Sequence, residues 1–160
     1  MAAKPYGQLN WDIGEIAKAL KIGENDVKQY FTDGRRVSFI LERRLACEVM
    51  QGRLAPSEGA GYDLLDWQGR KWEVRSITKG GIYFCPSYMV GSGRSFDKAG
   101  FLKKLKTIQG FIISDVESFS DIPFWIISSR VVRSWWDDGR LGLNSKVSRR
   151  SALELLQAMP

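Results

Sequence analysis

The hydrophobic period changes at Gly61, and that change limits the fold more than any other feature of this chain. Before it, apolar residues recur three and four apart, the spacing of helices. After it, segments alternate at spacing two or run apolar without a break, the spacing of strands. Residues 10–31 read as two short helices, with Asn10 or Asp12 as cap and Ile13, Ile16, Ala17 and Leu20 on one face. Lys21-Ile22-Gly23 breaks them, and Val27 with Tyr30 or Phe31 faces inward on the second. Residues 37–50 read as a third, longer helix. Residues 62–67, 71–77 and 81–85 are strand candidates, the first two joined across Gln68-Gly69-Arg70. A helix over about 99–108, capped by Ser95 or Asp97, presents Leu102, Leu105 and Ile108 inward and Lys103, Lys104 and Lys106 outward. Two buried-type strands at 111–113 and 124–127 follow, then a helix over 149–157 capped by Ser148. Helices, then strands, then helix, then strands predict a mixed α/β (α+β) layered domain with a central mixed sheet flanked by helices.

Composition removes whole classes of chemistry. The chain has 160 residues and no histidine, so it holds no Ser-His-Asp or Cys-His site and no His-ligated zinc. Cys47 and Cys85 are the sole cysteines, too few for an all-thiolate zinc site. They read as reduced and intracellular, with one bridge between them left open. No run approaches the length of a membrane span, and residues 1–6 have no apolar signal core. The expected address is the cytoplasm, with no membrane partner. The 24 Lys and Arg exceed the 18 Asp and Glu by six, which favours an acidic partner, nucleic acid first. Any enzymatic chemistry rests on carboxylates, Lys, Arg, Ser or Tyr.

The segment with that chemistry runs Gly61-Tyr-Asp-Leu-Leu-Asp-Trp-Gln-Gly-Arg-Lys-Trp-Glu-Val-Arg-Ser-Ile. Asp63 and Glu73 lie ten residues apart across the tight turn, which makes them cross-strand neighbours. Two carboxylates so placed repel each other, and a hard divalent cation relieves the repulsion. Arg75, two residues past Glu73, shares its sheet face, while Val74 points to the core. Two acids and a cation at one sheet edge suit Mg²⁺ beside a phosphodiester. The metal polarises the phosphoryl oxygen and activates water, while the guanidinium stabilises developing charge.

This spacing resembles the active-site hairpin of the PD-(D/E)XK nuclease superfamily, and of its type II restriction endonucleases in particular. The second Asp follows the first by three residues, Gly by six, Glu by ten, and Ser-Ile follows the basic residue. The resemblance is close over residues 61–77, and beyond them it rests on element order. It implies a restriction-endonuclease-like core over residues 37–160, Asp63 and Glu73 as metal-binding acids, and the Val74 carbonyl as a further ligand. It implies Mg²⁺ as cofactor, double-stranded DNA as substrate and a homodimer in which each protomer cuts one strand. Arg75 stands where the family usually has Lys. A guanidinium stays charged and cannot act as a general base, so Arg75 is expected to act on developing charge. Glu42, Glu48 and Glu58 are candidate additional acids, and Asp66 reads as a turn residue.

Residues 1–36 form a small helical segment that would read DNA if its two helices make a helix-turn-helix. Lys21 stands where that unit usually has Gly, and Asn25, Lys28 and Gln29 carry groups suited to base edges. Ser92 and Arg94 in the polar, glycine-rich loop at 87–95, and Lys103 and Lys104 on the later helix, are further candidate DNA contacts. The expected activity is sequence-specific, Mg²⁺-dependent hydrolysis of phosphodiester bonds. Two alternatives remain: a junction-resolving or repair nuclease on the same fold, and a DNA-binding regulator with a vestigial nuclease core.

Overall fold

A computed structural model describes residues 4–160. The chain runs through β1 (Gly7–Asn10), α1 (Ile13–Leu20), α2 (Glu24–Thr32) and α3 (Gly34–Arg44), which ends in a π-turn over Leu45–Val49. Next come β2 (Arg53–Leu54), β3 (Leu64–Leu65), β4 (Lys71–Ile77) and β5 (Ile82–Tyr83), then α4 (Lys98–Thr107). The chain closes with β6 (Gly110–Asp115), β7 (Asp121–Ser128), α5 (Ser129–Asp137), β8 (Lys146–Val147) and α6 (Arg149–Gln157). One mixed six-stranded sheet runs β1-β7-β6-β4-β3-β2, and β5 pairs with β8 in a separate two-stranded ribbon. The fold is mixed α/β.

The pleat of the central strands divides the core in two. Phe111 and Ile113 of β6, with Ile77, Trp125 and Ile127, face α4, α5 and α6. Ile112, with Trp72, Val74, Ile122 and Phe124, faces α1, α2 and α3. Phe111, Ile112 and Ile113 are fully buried, each contributing roughly 1.5–3 kcal/mol of transfer free energy. Strands apolar on both sides belong at the centre of a covered sheet, and β4 and β6 pair in parallel there. Their crossover carries α4, which brings that helix over the face bearing Glu73 and Arg75.

Several elements differ from expectation. The first hairpin strand, expected over 62–67, pairs only at Leu64 and Leu65, because the Asp66 carboxylate draws the chain into the turn at Gln68 and Arg70. The third strand, expected over 81–85, leaves β4 after a single bridge between Thr78 and Gly81 and pairs with β8 instead. Gly81, at φ +104°, packs so close to the Val147 carbonyl that a side chain there would overlap it. The third helix, expected over 37–50, starts three residues earlier and gives way to the π-turn. Leu20, expected inward on α1, is exposed. On α2, Val27 and Phe31 are buried while Tyr30 stays at the surface. Asp12, of the two expected caps, accepts from the Glu15 amide, and Lys21 ends α1 at φ 57°, a left-handed conformation.

β1 and α5 were not read from sequence. β1 pairs antiparallel with β7, so the N-terminal segment is anchored in the main sheet while α2 and α3 share a buried cluster. Among the described residues no helix is long and apolar enough to cross a membrane. Cys47 is exposed and Cys85 buried, and both are free thiols.

Candidate active site

The register of the β3–β4 hairpin sets the site. Leu64 lies opposite Trp72 and Leu65 opposite Lys71, so one step back Asp63 stands opposite Glu73, its amide donating to the Trp72 carbonyl at 3.0 Å. β3 stops there, and among the described residues the edge of β4 beyond it has no strand partner on that side. The Asp63 carboxylate takes over that role, its Oδ2 accepting from the Val74 amide at 2.7 Å. Glu73 and Arg75 project from β4 on the α4 face, as the period of two requires.

Arg75 gathers the group. Its Nη2 lies 2.7 Å from Glu73 Oε2, and its Nη1 lies 3.6 Å from Asp63 Oδ2. Nη1 also donates to the Val74 carbonyl at 2.9 Å, and Nη2 to the Cys85 carbonyl at 3.3 Å. Lys104, expected on the outer face of its helix, turns inward instead. It pairs with Glu73 Oε1 and donates to the Gly61 carbonyl. The physical reason is the buried Glu73, only 4% exposed, whose charge needs more than one cationic partner. Two acids thus face two cations in one partly dry pocket.

Burial, and then the Glu73 charge, push the Asp63 carboxyl above its usual range, against the pull of Arg75, the Val74 amide and Lys104. Glu42 reaches the same area from α3 on the other side of the sheet. Burial, then the Asp63 charge, push its carboxyl up to about 7. Folding therefore disfavours ionised Glu42, and that cost grows as pH rises from the unfolded value through the folded one. Glu42→Gln, a mimic of the protonated acid, is expected to raise Tm at about pH 8 in metal-free buffer and to leave it unchanged near pH 4. Equal gains at both values, in thermal melts followed by circular dichroism, would mean the change acts through packing alone.

Asp63, Val74, Arg75 and Glu42 line the floor of an open cleft of about 1550 Å³, and Glu73 with Lys104 lies behind them, outside its lining. One wall is α3 with the end of α2, carrying Gln29, Arg35, Phe39 and Arg43. The other is the 78–94 segment with Ser92, Arg94 and Lys146. The Arg43 guanidinium stacks 3.4 Å above the exposed Phe39 ring, and Arg94 bonds the Ser87 and Val90 carbonyls of its own loop. The walls thus carry four cations, Arg35, Arg43, Arg94 and Lys146, against the acids Asp33 and Glu58, while Asp63 and Glu42 lie at the floor.

Not every candidate reaches this cleft. Asn25 and Lys28 are exposed on α2 and do not line it, and Lys103 stays exposed on α4. Glu58 lines it from a 3₁₀ turn, whereas Glu48 is committed to Arg44 at 2.7 and 2.8 Å. Asp66 is a turn residue, as expected. Glu42, a candidate additional acid, does approach the acid pair, whereas the Lys104 contact with Glu73 was missed as a site feature because it is long-range. The only sequence signal for that contact is a Lys beside the apolar stripe of α4.

Among the described residues, no group of three or more His, Cys, Asp and Glu side chains could by itself hold a metal ion. The oxygens of Asp63, Glu73 and Val74 nevertheless converge on one cation, the Arg75 guanidinium. Two carboxylates and a carbonyl are hard oxygen donors of the type Mg²⁺ takes, with water completing its octahedron. In donor chemistry the residues fit the ion. Compared with known proteins, the sequence matches no family model and no curated protein.

Proposed function

We propose that the protein is a Mg²⁺-dependent endonuclease of the restriction type that hydrolyses phosphodiester bonds in double-stranded DNA. The observation that carries this reading is the meeting of Asp63 and Glu73 around Arg75, which with Asp63 lines a cleft whose walls also carry Arg35, Arg43, Arg94 and Lys146. Asp63, Glu73 and the Val74 carbonyl would hold the ion. When bound, it supplies polarisation of a phosphoryl oxygen and activation of water.

The chain's own groups do the rest. Arg75 stays protonated and offers a planar fork to the charge that builds on the phosphorus oxygens. Lys104 brings an ammonium to Glu73 from α4, which supplies from another element the amine that the family pattern places two residues after the second acid. Glu42, with its carboxyl near neutrality, is suited to exchange a proton with solvent at the cleft floor. Arg35 and Arg43 on one wall and Arg94 and Lys146 on the other fit the two sides of a phosphate backbone. A homodimer, each protomer acting on one strand, follows from the resemblance and from the symmetry of duplex sites.

One observation favours a second reading, a DNA-binding regulator with a vestigial core. Arg75 engages both acids, so the site is charge-compensated without a metal. Plasmid digestion with and without Mg²⁺ decides between them. Discrete Mg²⁺-dependent fragments are the expected result. Cutting confined to branched DNA would move the protein to the junction-resolving class, and binding without cutting would favour the regulator.

A further inference from the structure

The oxygens that suit a metal are already in use. Arg75 contacts Asp63, Glu73 and the Val74 carbonyl at once, and Lys104 holds the second oxygen of Glu73. The Arg75 side chain is 17% exposed, so most of it is screened from water and its ion pairs are stronger than surface pairs. A divalent ion placed among the same oxygens would lie against the guanidinium, adding repulsion to the loss of those pairs. Ion and guanidinium therefore exclude each other.

We infer that Arg75 is a resident counter-ion that a divalent metal must displace, and that DNA phosphate, by accepting the displaced guanidinium, gates metal entry. This inference rests on the nuclease reading and adds its regulation. Three features support it. The guanidinium is a planar fork that pairs with phosphate as readily as with carboxylate. Arg75 lines the open cleft, so the alternative partner arrives on its exposed side. Lys104 remains on Glu73 when Arg75 leaves, so the buried acid keeps one cation while the metal enters. Metal affinity and DNA affinity are then linked, and each ligand raises the affinity for the other by the same factor.

The test is Mn²⁺ binding, read by electron paramagnetic resonance, to the full chain with and without a nuclease-resistant phosphorothioate duplex. Without DNA, Arg75→Met is expected to bind Mn²⁺ at least about tenfold tighter than wild type, the scale on which a neighbouring cation biases a carboxylate. Adding duplex is expected to tighten wild-type binding by a similar factor and to leave Arg75→Met unchanged. Arg75→Lys keeps the charge but not the fork that spans both acids, and is expected to fall between the two. It carries the test should the methionine variant unfold. Wild type binding Mn²⁺ as tightly as the variants without DNA would overturn the inference even if the protein cleaves plasmid. Absence of Mn²⁺ binding in every protein would overturn it too. Mn²⁺ binding that follows the expected pattern without plasmid cleavage would leave the gate standing and remove the endonuclease.

Discussion

Asp63→Ala is expected to lower DNA cleavage by about 10³-fold or more while leaving duplex affinity within about twofold of wild type. The loss follows from removing one of two carboxylates that would hold an ion worth several kcal/mol to the transition state. Binding survives because the cations of the cleft walls are untouched, and an acid facing phosphates does nothing to attract them. The fold should survive as well. Burial and Glu73 already disfavour the Asp63 charge, and its side chain makes one hydrogen bond, from the Val74 amide, beside a longer pair with Arg75 at 3.6 Å. Asp63→Asn keeps an oxygen for that amide, so equal inactivation of the two variants would separate lost chemistry from a lost hydrogen bond. Single-turnover cleavage and fluorescence anisotropy read the two quantities. A wild-type rate in a folded Asp63→Ala protein would place the chemistry elsewhere.

Asp66→Ala is expected to destabilise the protein by about 3 kcal/mol, or roughly 10 °C in Tm. Asp66 is buried and accepts from the amides of Gln68 and Arg70, from Arg70 Nε at 2.7 Å and from Trp72 Nε1 at 2.9 Å. Burial raises its carboxyl pKa, but the bonds from Trp72, Arg70 and Gln68 outweigh that and hold it below the usual carboxylate range. Its contribution is therefore complete above the unfolded value and lost as pH falls through the folded one, so the variant should lose the acid limb of wild-type unfolding. Alanine would leave the indole N–H of Trp72 without its partner inside the core. The effect reaches the site as well, since this turn fixes the pairing of 63 with 73. β4 is held in register by β6, so a slip of one residue at this turn would set Asp63 opposite Trp72 or Val74, on the face away from Glu73 and Arg75. Chemical denaturation measures the first effect, and cleavage per folded molecule the second. An unchanged midpoint would mean that the turn holds without its carboxylate.

These two residues also mark how far the sequence could be read. The pairing of Asp63 with Glu73 was legible because a hairpin is local: a tight turn and a period of two suffice to bring both to one place. α6 was legible because Ser148 and the spacing of Ala152, Leu155 and Leu156 carry the whole signal in ten residues. β1 was not, since Leu9 is its one buried residue and its extended state comes from pairing with β7, more than a hundred residues away. α5 had its signal, a Ser128 cap with Val132 and Trp135 at helical spacing, but β-branched residues directly after a strand masked it. The site itself divides the same way. Its two acids come from one hairpin and Glu42 was named through the resemblance, whereas the Lys104 contact comes from a helix packed across the sheet and no local pattern announces it.

The early stop of β3 has an effect outside the cleft. A strand edge with free peptide groups is a template for strands of other molecules, and soluble proteins suppress such edges with charge. At Val74 the amide is taken by Asp63 and the carbonyl by Arg75, so the proposed reaction chemistry and the protection against intermolecular strand addition reside in the same two side chains. Inactivating both at once would also uncap an adhesive margin, and colloidal behaviour, not catalysis alone, constrains what may stand at positions 63 and 75.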